Sequence, residues 1–136
     1  MGVSLLRVFS YILALAGVAS SLPFAIALIY NEQSAIWAFG VPMLSSIAFA
    51  LIIGFVYRHI ESKNLNIRGA FMAVGGSWIF LSLFGALPLY FSGAVPSVTD
   101  AIFESVSGIT TTGATIIPDV EILPRSINVW RCEMHW

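Results

Sequence analysis

Apolar residues fill three long blocks of this chain, and the charged residues fall between them. No Asp, Glu, Lys or Arg occurs within residues 8–31, 33–57 or 69–99. Each block exceeds the roughly 20 residues that an α-helix needs to cross the hydrocarbon core. The pattern therefore predicts three membrane spans, the third near residues 70–91. Ser92, Gly93 and Pro96 then interrupt the apolar run. The next four residues, Ser97, Val98, Thr99 and Asp100, read as a helix start. Ser97 is placed to cap the amide three residues on, and Asp100 to answer it as in a capping box. The Asp100 carboxylate also suits the positive end of the helix dipole. The helix expected over residues 98–107 rises only about 15 Å, half of a roughly 30 Å core, and Gly108 supplies a stop. Such an element is expected to be a re-entrant half-helix, its partly negative C-terminal end aimed into the membrane.

Composition agrees. Of 136 residues, 58% are hydrophobic and 10% charged, with a mean hydropathy of +0.91, whereas soluble domains carry about 25% charged residues. The first block has a competing reading as a cleaved signal peptide, with Arg7 as the charged flank and small residues at 16–21 for cleavage. Its apolar run continues through Ala25, Ile26, Leu28 and Ile29, beyond a typical signal core of about 7–15 residues, and this favours a retained span. The expected fold class is an all-α integral membrane protein. It has three transmembrane helices, a re-entrant pore helix with its filter loop, and the truncated start of a further helix.

Charge placement predicts the orientation. Arg7 precedes the first span, and the connection at 30–34 carries only Glu32. The connection at 58–68 carries Arg58, Lys63 and Arg68 against Glu61, with His59 nearby. An excess of Lys and Arg marks cytoplasmic loops, so Arg7 and the second connection are expected inside and Glu32 outside. The polar segment after Gly93 then enters from the external side. Tyr30 and Trp37 near the outer ends, and Tyr57 near the inner end, suit interfacial aromatic belts. Within the spans, Ser46, Ala50 and Gly54 form a small-residue ridge that lets another backbone approach, and Gly75, Gly76 and Gly85 offer the same on the third span. Pro23, Pro42 and Pro88 are expected to kink helices or mark their ends.

The candidate chemistry lies in residues 103–115, F-E-S-V-S-G-I-T-T-T-G-A-T. Residues 107–114 hold four Ser or Thr hydroxyls and two glycines, too polar for lipid and too short of charge for an ordinary surface loop. Irregular backbone at membrane depth is tolerated only where protein buries it or where it lines a water-filled path. A filter for a dehydrated monovalent cation needs carbonyl oxygens facing one axis. Turning them that way requires dihedrals that glycine adopts without a Cβ penalty, which makes Gly113 the candidate. No charged ligand lies in the stretch, which argues against a tight divalent site.

This run closely resembles the first pore loop of Trk-type bacterial potassium-uptake proteins, a superfamily that includes Ktr and plant and fungal relatives. The flanks A-L-P-L-Y-F-S-G and I-L-P-R-S-I-N-V-W-R resemble the family as well. The resemblance is strong from Gly69 onward and looser before it. It implies two regions: residues 1–68, an N-terminal transmembrane helix pair with a cytoplasmic loop, and residues 69–136, a first pore repeat of outer span, pore helix, filter loop and incomplete inner span. It implies that Gly113 is the filter glycine and that backbone carbonyls of Thr110, Thr111, Thr112 and Gly113 coordinate potassium, the transported substrate, with no cofactor. Family members carry four such repeats in one chain. They are typically homodimers in the bacterial inner membrane, working with a cytoplasmic nucleotide-binding regulatory subunit. The N-terminus is expected in the cytoplasm. Residues 124–136 make roughly 20 Å of helix, too short to cross, so an incomplete fragment of the transporter is expected.

Other candidates are weaker. Cys132, Glu133 and His135 are metal-ligand types, but no second Cys/His pair accompanies them. Glu104 is an intramembrane carboxylate, open to a reading as a proton relay; packing behind the filter, accepting hydrogen bonds from neighbouring amides, is favoured. Asp119 and Glu121 either raise local cation concentration or are solvated loop charges. No nucleophile–base pair or phosphate-binding loop is present, so an enzyme is not expected, nor a nucleic-acid partner. The two functional readings are potassium uptake through a carbonyl-lined filter and a non-transporting small membrane protein that associates with full-length homologues.

Overall fold

The computed structural model describes residues 2–59 and 66–135. Those residues form helices α1 (Gly2–Ala19), α2 (Ser21–Ile29), α3 (Gln33–Val56), α4 (Ile67–Phe91), α5 (Val98–Ile109) and α6 (Arg125–Met134), with no strand among them. Three stretches, Val3–Ile29, Gln33–Val56 and Ile67–Phe91, are long and apolar enough to cross a membrane. The chain is an all-α, multi-pass membrane protein. Lys63 and Glu61, counted above for orientation, lie outside the described residues.

The first span is built from α1 and α2 with a single break at Ser20. Pro23 has no amide to donate to the Ala19 carbonyl, so the helical ladder skips there. Ser20 stays in the right-handed region, its amide donates to Ala16 O at 3.0 Å, and Phe24 N donates to Ser20 O at 3.1 Å. The chain thus continues with little change of course. Pro42 and Pro88 sit inside α3 and α4 without ending them.

The small-residue ridge on α3 works only at one end. A side chain on Gly17 of α1 would collide with the Ser46 hydroxyl, and Ser46 is buried. Gly54 and Gly75 face open space instead, while Gly76 lies against the Phe9 ring. At this end of the bundle Arg7 donates to the carbonyl of Tyr57, the C-cap of α3. A cation there complements the negative end of the helix dipole. It ties the start of α1 to the end of α3. Asn66 caps α4 by accepting from Gly69 N at 2.9 Å, which starts that helix at Ile67 and not near residue 70.

The core sits where α2, α3, α4, α5 and α6 converge. Phe39, Leu89 and Ile127 are fully buried there. Trp130 of α6 meets Phe39 and Phe84 edge-on, with ring centroids 5.8 and 6.5 Å apart. Its indole N–H donates to Gly85 O at 3.0 Å.

The α5 helix starts where expected, with Asp100 N donating to Ser97 Oγ at 3.4 Å. Only that half of the capping box forms. Gly108 does not stop the helix, which runs on through Ile109. Its role is contact: a Cβ at Gly108 would lie 2.9 Å from Met134 Cβ, so the bare backbone lets α6 close against α5.

Candidate functional site

The loop that leaves α5 is shaped by a C-terminal cap. Thr110 is the C-cap, Thr111 N donates to Gly108 O at 2.8 Å, and Thr112 N donates to Ser107 O at 2.9 Å. These two bonds are the Schellman pair, which needs a left-handed residue after the C-cap, usually glycine. Here that residue is Thr111, at φ +55°. A β-branched side chain in that region is a genuine outlier and costs on the order of 1–3 kcal/mol. Local hydroxyls bind the turn together. Thr110 Oγ1 donates to Val106 O at 2.7 Å and lies 2.8 Å from Thr112 Oγ1. Gly113 follows with φ +75°, so two of three consecutive residues are left-handed.

The carbonyls on either side of this turn are engaged. Ser107 O takes the capping amide, and Ala114 O accepts from Ser107 Oγ at 2.6 Å. Between them, the carbonyls of Thr110, Thr111, Thr112 and Gly113 accept no hydrogen bond from any described residue. All four residues are exposed. The structure therefore presents four consecutive unpaired oxygens beside the negative end of a helix dipole.

Glu104 anchors the far side of the loop. It is 3% exposed, and its Oε1 accepts from Thr115 Oγ1 at 2.6 Å and from Ile116 N at 2.7 Å. Its Oε2 pairs with Arg131 Nη2 of α6 at 3.3 Å, and the same nitrogen donates to Thr115 Oγ1 at 3.2 Å. A buried carboxylate needs such a set of partners, since an isolated charge is strongly disfavoured away from water. One oxygen of Glu104 thus holds the loop, and the other ties it to α6. Arg131 Nε stays buried without a partner.

The α6 helix is in turn held from outside itself. Pro124 precedes it and provides no side-chain cap. The Glu32 carboxylate does so from the α2–α3 turn, accepting from Arg125 N at 2.8 Å, from Ser126 N at 3.2 Å and from the Ser126 hydroxyl. Arg125 also places its guanidinium 4.4 Å from the Tyr30 ring centroid.

The remaining candidates are spread out. Asp119 Oδ1 accepts from Glu121 N at 2.9 Å in an exposed turn. Cys132 is exposed, and His135 Nδ1 lies 2.7 Å from Arg131 O. No group of three His, Cys, Asp or Glu converges among the described residues. Sequence reasoning missed Glu32, Ser126, Trp130 and Arg131. A signal existed for Arg131, because a carboxylate at membrane depth calls for a cation; Arg125 and Arg131 were the choices downstream of it.

The chain was compared with known proteins. Residues 41–136 match the family model described as TrkH, cation transport protein. An uncharacterized cation transporter of Methanocaldococcus jannaschii is 38% identical over 133 residues, covering 97% of this chain and 27% of that protein. The Trk system potassium uptake protein TrkH of Halomonas elongata is 35% identical over 134 residues, with the same two coverages. Its Escherichia coli namesake is 35% identical over 116 residues, 85% of this chain and 24% of that protein. The chain thus spans about a quarter of the length of these relatives. No solved structure matches it.

Proposed function

We propose, from the premise that this chain belongs to the TrkH family of cation transport proteins, that it supplies one filter segment of a potassium-uptake pathway. The observation that carries the reading is the run of four carbonyls on exposed residues, Thr110 to Gly113, with no donor among the described residues. Carbonyl oxygens on a common axis replace the hydration shell of a potassium ion, and they serve only if the fold leaves them free. In this reading α5 dips into the membrane without crossing it, consistent with its rise of about 18 Å, and delivers the loop from the external side. The N-terminus then lies in the cytoplasm of a cell whose inner membrane holds the protein. In the whole transporter four such loops of one chain surround the pathway, and two such chains form a homodimer served by a cytoplasmic nucleotide-binding subunit.

The test joins the full 136-residue chain in place of the matching stretch of the Halomonas elongata protein. The chimera is expressed in a bacterial host without potassium uptake of its own. Growth at limiting potassium and rubidium uptake should be restored. Gly113→Asp should abolish both, because it forces a side chain into a left-handed position, costing about 1–2 kcal/mol, and sets a fixed charge among the oxygens. Equal rescue by the Gly113→Asp chimera overturns the filter assignment.

A further inference from the structure

Residues 2–40 lie outside the family-model match, yet one of them reaches the filter by a continuous path. The α2 helix ends in its own Schellman turn. Asn31 N donates to Leu28 O at 3.2 Å and Glu32 N to Ala27 O at 2.9 Å, with Asn31 at φ +56°. Asparagine tolerates that conformation better than most residues, and the turn fixes the direction in which Glu32 leaves the hairpin. Its carboxylate then takes three donors from the first turn of α6, a helix with no cap of its own. One and a half turns further along the same helix, Arg131 holds both Glu104 and Thr115. Between them, Trp130 fixes the rotation of α6 through Gly85 O. A helix pinned at its first turn has its axial position set there, and Arg131, on its second turn, moves with it.

We infer that Glu32 is a positioning residue for the ion filter, setting through α6 and Arg131 where Glu104 and Thr115 hold the loop. This rests on the reading of Thr110 to Gly113 as a cation filter. Discrimination between ions depends on sub-ångström placement of the oxygens, whereas a merely structural cap affects only how much protein accumulates. The two roles are therefore separable.

The experiment uses the same chimera and measures rubidium uptake and its inhibition by sodium, normalised to the protein present in the membrane. Glu32→Ala should raise the KM for rubidium and strengthen sodium inhibition, both severalfold, at equal amounts of protein in the membrane. Glu32→Gln, which keeps an acceptor but loses the charge, should fall between. Ser126→Ala removes one donor and leaves Glu32 in place, so it reads the same path where Glu32→Ala fails to accumulate; a smaller shift in the same direction is expected. An unchanged KM and sodium sensitivity in the variants that do accumulate overturns the inference, provided Gly113→Asp abolishes uptake in parallel. Normal uptake by Gly113→Asp would instead remove the filter reading on which the inference stands.

Discussion

Glu104→Ala is expected to destabilise the folded chain by about 3–5 kcal/mol, the range for removing one partner of a buried ion pair. The effect is large because three things are lost together. Arg131, 15% exposed at its side chain, is left as an uncompensated charge. The Ile116 amide and the Thr115 hydroxyl lose their acceptor. The Cγ methylene is lost as well. Glu104→Gln separates these contributions, since its amide oxygen still accepts from Thr115 and Ile116 while the charge opposite Arg131 is gone. It should cost roughly half as much, the remainder being the unpaired guanidinium. Adding Arg131→Met to Glu104→Gln should recover part of the loss, because a buried pair replaced on both sides is far less harmful than one broken on one side. Equilibrium unfolding in detergent micelles measures the parent chain, these three variants and Arg131→Met alone. Additive losses in the double variant, or a loss below about 1 kcal/mol in Glu104→Ala, the range of an exposed pair, would show that the pair does not hold the loop.

Trp130→Ala should cost a comparable amount, about 3–5 kcal/mol, as large aromatic truncations in a core do. The ring is 4% exposed and fills the junction of α3, α4 and α6. Trp130→Phe keeps an aromatic face toward Phe39 and Phe84 but gives up the bond to the Gly85 carbonyl and part of the ring volume, and should cost about 1–3 kcal/mol. The same unfolding experiment ranks the two. If Trp130→Phe proves as damaging as Trp130→Ala, the hydrogen bond to Gly85 outweighs the packing and the account of this junction is wrong.

What the sequence made legible follows the range of the interaction concerned. The three spans are visible because burial in lipid demands twenty-odd apolar residues in a row, and that demand leaves charge-free blocks at 33–57 and 69–99. The start of α5 is visible because Ser97 and its amide partner are three residues apart. The end of α5 was misread for a tertiary reason: Gly108 is there to admit Met134, and the left-handed turn falls to Thr111, a residue whose propensity argues against it. Glu104 was recognised as a support for the loop, but its pairing with Arg131 spans 27 positions, and no local pattern distinguishes Arg131 from Arg125. Glu32 was read only for its charge in a loop. Its partner lies 94 residues away, beyond any pattern in the chain.

That separation has a consequence for biogenesis. A ribosome adds about 5–20 residues per second, so Glu32 emerges roughly five to twenty seconds before Ser126 exists to meet it. The first turn of α6 brings no cap of its own. The first hairpin is therefore made before its partner, and the first turn of α6 gains its cap only on arriving there. Closure of the loop behind Glu104 is thereby scheduled as a late event of synthesis, after the scaffold that must judge its register is already in place.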